Sequence, residues 1–178
     1  MILRVLDGIQ LIIYTKRNSM KPASVKEIKA ELIYKPKEEL VELCLMMSKH
    51  KKENKELLTY LLFERGDEGG YIESIKEEMN NLFDDVNYSS YYLAMKGIRK
   101  ILRIAKRYIR YSKNKATEAE VLIYFCAKVK LICSYYEYNA SLLSIYDKQL
   151  EIAQKKIKSL HEDLQYDFQL MIEEELGE

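Results

Sequence analysis

The chain has no tryptophan, two prolines, six glycines, three cysteines and two histidines. Eight Gly and Pro residues among 178 are about a third of the usual share. That leaves too few tight-turn positions for a β-sandwich, a barrel or a glycine-rich nucleotide fold. Histidine scarcity thins the chemistry further. Neither His50 nor His161 belongs to a Glu-x-x-His pair, which disfavours a ferritin-like di-iron bundle. There is no His-Glu-x-x-His, no Gly-x-Ser-x-Gly and no phosphate-cradling Gly-Lys-Ser/Thr loop. His161-Glu162-Asp163 gathers metal-ligand types, yet no metal, cofactor or catalytic residue is expected. An odd count of cysteines with apolar neighbours argues against a disulfide scaffold. Cys44, Cys126 and Cys133 are expected to pack as core thiols.

Long apolar runs are also missing. The opening stretch from Met1 to Tyr14 is interrupted by Arg4, Asp7, Gly8 and Gln10, and falls short of the ~20 residues a bilayer demands. It lacks the uninterrupted core and small-residue cleavage site of a signal peptide. Residues 1–19 are therefore expected as an extra packed helix or an N-terminal appendage, with Met20 as an alternative start. Residues 20–178 are expected as one soluble, cytoplasmic helical domain.

What is present is helical material. Ala, Glu, Leu, Lys and Arg make up 82 of the 178 residues, near the half that marks long helices. Ser24 and Glu27 form a capping box before Val25, Ile28 and Leu32. Pro36 suits the first turn of a second helix, and Ser48–Asn54 marks a turn before a third that ends at the glycine cluster Gly66–Gly70. Ile72, Ile75, Met79, Leu82 and Phe83 make a fourth. Asn87–Ser90 caps a fifth running to about Ser112, and Thr117–Glu120 is a second capping box. A break is expected at Tyr138–Ser141, then a helix to about Leu176. No segment keeps period two long enough for a strand. The expected fold is all-α: an antiparallel bundle or a short α-solenoid of six or seven helices.

Charge is laid out unevenly. The net charge is +1 overall, but +9 over 86–115 against −6 over 61–85 and −7 over 160–178. Lys96, Arg99, Lys100, Arg103, Lys106, Arg107, Arg110 and Lys113 fall within an arc of about 140° at 100° per residue. Ile98, Ile101, Leu102, Ala105, Tyr108 and Ile109 take the other side. Like charges so aligned repel unless screened. The stripe is neutralised by the fourth helix or Glu173–Glu175, or it is solvated, or it meets an anionic partner.

Of fifteen tyrosines, Tyr88, Tyr91, Tyr92, Tyr108 and Tyr111 lie in or beside the basic helix. Rings packed at the rim are the expected arrangement, and base stacking beside arginine is the functional counterpart. From Tyr146 the apolar residues step by heptads through Leu150, Ala153, Ile157, Leu160 and Leu164, then shift to Phe168 and Met171. This stripe is either the spine of the bundle or a dimer seam through 141–176. A break near Ser159, with Ser159–Glu162 as another capping box, and a monomer are preferred over a projecting helix and a homodimer.

The stretches Lys52–Glu64, Ile98–Arg103 and Leu160–Gln165 resemble a family of small all-helical bacterial proteins. The resemblance spans roughly 20–178; it implies the fold class and no activity, so no functional residue is carried over. The leading expectation is a non-enzymatic interaction module presenting the basic helix over 96–115 to an acidic protein or nucleic acid. The alternative is a hydrolase or nucleic-acid-processing enzyme built on carboxylates that no motif marks.

Overall fold

The computed structural model describes residues 21–136 and 139–177; the apolar opening and the expected appendage over 1–19 lie outside the described residues. All regular structure among them is helical, in eight α-helices rather than six or seven. These are α1 (Val25–Leu32), α2 (Lys37–His50), α3 (Lys52–Thr59), α4 (Glu68–Asp84), α5 (Tyr91–Ser112), α6 (Lys115–Tyr135), α7 (Ala140–Ile157) and α8 (Glu162–Leu176). Contacts divide the chain into two units, one up to His50 and one over Lys51–Glu178.

In the first unit the Ser24 capping box forms as expected. The Ser24 hydroxyl accepts from the Glu27 amide at 3.3 Å, and the Glu27 carboxylate accepts from the Ser24 amide at 2.8 Å. The Pro36 carbonyl accepts the first bond of α2 from Leu40 at 3.1 Å. Neither α1 nor α2 buries a residue. Cys44 is accordingly exposed, against the expectation of a core thiol, while Cys126 and Cys133 are buried.

The second unit corrects several expected boundaries. The run Ser48–Asn54 is helical except at Lys51, whose extended backbone (φ −144°, ψ 146°) separates α2 from α3. From Thr59 the chain continues through a π-helical turn at Tyr60–Glu64. The glycine cluster begins a helix as well as ending one, because Asp67 caps the Gly70 amide at 2.9 Å and draws Gly69 and Gly70 into α4. α6 starts at Lys115, capped by Asn114, so Thr117 is no cap: it is fully buried and gives its hydroxyl to Glu68 at 2.6 Å. The break after Ile157 falls where expected and makes the eighth helix, but His161 rather than Ser159 caps α8.

Pairwise contacts give the helix directions. Glu118 meets Lys156 at 2.7 Å, and the Cys126 thiol reaches the Tyr146 carbonyl at 3.7 Å, so α6 and α7 are antiparallel. Tyr91, which opens α5, packs edge-on against Tyr136 just beyond α6, with centroids 5.6 Å apart; α5 also runs against α6. Lys76–Glu120 and Asn80–Tyr124 keep one offset, so α4 runs with α6. Lys130 bonds the Leu176 carbonyl where α6 and α8 both end. α4, α6 and α8 therefore run one way, and α5 and α7 the other.

α6 touches all four others, whereas in a solenoid each repeat meets only its sequence neighbours. This unit is a bundle. α6 buries Ala119, Val121, Leu122, Ile123, Phe125, Cys126 and Val129 completely, and is apolar all round as a central helix must be. The heptad stripe of α7, from Tyr146 through Ile157, is buried in the chain's own core, with Phe168 on α8. Leu164 departs from the stripe and is exposed.

Gly97 sits inside α5, where glycine costs about 1 kcal/mol relative to alanine. The reason is Val86, whose two γ-carbons lie 2.8 and 2.9 Å from where a Cβ would stand. Gly97→Ala should therefore destabilise by up to about 2 kcal/mol, because overpacking at about 1–3 kcal/mol outweighs the helical gain of about 1 kcal/mol. Chemical denaturation of Gly97→Ala beside a Gly97→Ala/Val86→Ala double variant checks this. Recovery of stability in the double variant is the expected result.

Candidate functional site

α5 starts at Ser90, whose hydroxyl accepts from the Leu93 amide at 3.4 Å, and stops at Lys113 in the left-handed region (φ 57°). Ala94, Met95, Ile98, Ile101, Ala105 and Ile109 are buried in the core. The opposite arc faces outward, as the 100° spacing requires. Lys96, Arg99, Lys100, Arg103, Arg110 and Lys113 are exposed, and Lys106 and Arg107 are half-buried.

Neutralisation within the chain reaches one of these eight. The Arg107 guanidinium meets Glu56 of α3 at 2.9 Å and Glu53 at 3.8 Å. The Tyr111 hydroxyl donates to the same Glu56 at 3.0 Å, and burial together with that bond pushes the phenol above its usual range. Arg107 is thus a structural clamp between α5 and α3. Among the described residues the other seven cations have no carboxylate within ion-pair distance. The acids expected to neutralise the stripe, on α4 and at Glu173–Glu175, lie elsewhere. Glu120, Asp167, Glu174 and Glu175 line a cleft of about 330 Å³ bounded by α4, α6 and α8, with Lys76.

Two basic clefts flank the middle of α5. On the α4 side, a cleft of about 540 Å³ is lined by Lys96, Arg99, Lys100 and Arg103, with Asp85 as its one carboxylate among the described residues. On the α7 side, α5 and α7 both rest on α6 and leave a cleft of about 510 Å³ between them. Arg99, Arg103, Lys106 and Arg110 line it from α5, and Lys148 and Gln149 from α7. No described carboxylate lines it. A further hollow of about 360 Å³, bounded by Tyr92, Lys96, Arg99 and Ser141, continues this cleft towards the start of both helices. Both antiparallel to α6, α5 and α7 run side by side, and the two hollows form one trough.

Electrostatics in the trough are unfavourable as it stands. Burial holds the Lys106 ammonium below its ordinary pKa, nearby Lys148 lowers it further, and Glu118 opposes both. Gln149 is 2% exposed, and its Oε1 has no hydrogen-bond partner. Lys148 and Gln149 were not legible as site residues, because nothing in a heptad pattern shows which helix lies across α6 from α5. Of the tyrosines near the stripe, Tyr91, Tyr108, Tyr111 and Tyr136 pack partly against the core. Tyr92, at 74% exposed, does not.

Set against known proteins, the chain matches no family model, no curated protein and no solved structure. The geometry alone bears on the site. No helix among the described residues is long and apolar enough to cross a membrane.

The clamp gives a direct test. Arg107→Glu places a third carboxylate against Glu53 and Glu56, where the Arg107 and Glu56 side chains are only 19% and 15% exposed. Breaking a largely buried pair this way should cost about 2–4 kcal/mol. Arg103→Glu, with no described ion pair to lose, should stay within about 0.5 kcal/mol. Urea denaturation of both variants measures the contrast.

Proposed function

We propose that this chain is a cytoplasmic, non-enzymatic binding module whose basic α5 face engages an anionic macromolecule. The observation that carries this reading is the set of seven α5 cations without an acidic partner among the described residues, ranged along one exposed helix face. Surface cations repel one another, and the simplest relief is an external polyanion. Lys106 and Lys148 strengthen the reading, since an anion seated between them offsets both the burial and the like-charge repulsion acting on Lys106.

The carboxylate-enzyme reading is less well supported. The two clefts lined by the α5 cations hold Asp85 as their single described carboxylate, and of the two carboxylates in the cleft beside Tyr108 and Tyr111, Glu56 is held by Arg107. In the acidic cleft, Glu120 is taken up by Lys76 at 2.8 Å. Among the described residues no three His, Cys, Asp or Glu side chains are grouped as metal ligands would be.

The test is binding to heparin and to mixed nucleic acid as a function of salt. Counterion release predicts that log K falls linearly with log salt at about 0.7–0.9 per phosphate neutralised. Arg99→Glu/Arg103→Glu should abolish retention while the circular dichroism and melting temperature stay unchanged. Arg107 is left intact because it holds α3. Absence of binding to any polyanion at about 50 mM salt would overturn the proposal.

A further inference from the structure

The trough between α5 and α7 restricts the polyanion more than net charge does. Three observations bear on its occupant. Lys96, Arg99, Arg103, Lys106, Arg110 and Lys148 line it along one track, with no described carboxylate among them. From Tyr92 to Arg110 it is roughly 27 Å long at 1.5 Å per residue. Tyr92 stands at its head, 74% exposed, in the same angular sector of α5 as Arg99, Arg103 and Arg110. A large ring left in water has no packing role.

We infer that this trough holds single-stranded nucleic acid, its phosphates tracked by the α5 and Lys148 cations and one base stacked on Tyr92. The inference rests on the polyanion reading above and narrows it to a ligand class. A cationic groove with an aromatic platform is the arrangement that suits single strands, because every base has a π-face and no sequence need be read. At about 3.4 Å per stacked nucleotide, roughly 27 Å accommodates about eight, within the range of about 4–16 for one binding surface. A duplex keeps its bases stacked inside. It leaves Tyr92 nothing to stack on.

Fluorescence anisotropy with the full chain tests this, using end-labelled single strands of about ten nucleotides, the matching duplex, heparin and polyglutamate at fixed salt. The expected result is at least about tenfold tighter binding of the single strand than of the duplex. Tyr92→Ala should weaken single-strand binding by about fivefold or more, as loss of one stacked base does, and leave heparin binding unchanged. Tyr92→Phe should bind like the parent, because the ring and not the hydroxyl carries the contact. Tyr92 is exposed, so its variants are expected to keep the parent melting temperature. Duplex binding equal to or tighter than single-strand binding overturns the inference, as does polyglutamate outcompeting the oligonucleotide. So does a Tyr92→Ala effect of equal size on heparin. In each of those cases the polyanion reading survives; binding to none of the probes defeats both.

Discussion

The all-round burial of α6 is the constraint from which the second unit follows. A helix with ten buried side chains spread around its circumference cannot lie on a surface, and four neighbours are needed to cover it. With short connections, chain order forces α5 and α7 to run against α6 and α4 and α8 to run with it. α4 packs beside α5 and α7 beside α8, so two gaps remain around α6, one between α5 and α7 and one between α4 and α8. The trough and the acidic cleft are those two gaps, on opposite sides of one central helix.

Charge follows this geometry. The excess acids of 61–85 and 160–178 fall mostly on α4 and α8, and the excess bases of 86–115 on α5. Because α6 separates the acidic cleft from the trough, near-neutral composition resolves into two clefts of opposite sign. The described carboxylates bonded to α5 side chains serve its C-terminal end. Glu56 holds Arg107 and Tyr111. Glu68 accepts from Tyr60, Ser112 and Thr117 together, tying the start of α4 to the π-helical turn, the end of α5 and the start of α6. Both are half-buried hubs in which several donors share one carboxylate, an arrangement whose loss leaves hydroxyls such as that of Thr117 without a partner in the core.

Much of this was legible in the sequence because it is local. Periodicity located the helices, and the caps at Ser24 and Ser90 formed because each side chain reaches an amide only three residues on. Local rules failed where a longer-range contact competed for the same atoms. Thr117 looks like a cap, but Glu68 takes its hydroxyl from 49 residues away, and Asn114 caps the helix instead. The basic arc was readable by angle alone. Its internal use was not: Arg107 sits among seven similar neighbours, and only the position of α3 sets it apart. Lys148 and Gln149 entered the site for the same reason, by lying on the helix that packing places beside α5.

The spacing of the stripe also bears on what kind of recognition it permits. Cations three or four residues apart on one helix are about 5–6 Å apart at their Cβ atoms, so a fixed ladder meets a strand at about one charge per one or two stacked nucleotides. Lysine and arginine side chains are long enough to absorb the mismatch, and contacts of that kind position a backbone without reading its sequence. Preorganisation comes from the other face: Ile98, Ile101 and Ala105 are locked into the core, so the ladder does not have to be assembled when a ligand arrives. What such a surface cannot do by charge alone is distinguish one polyanion from another. Discrimination must come from the groups in the trough that are not cations, and among the described residues the exposed Tyr92 ring is the one suited to stack on a base.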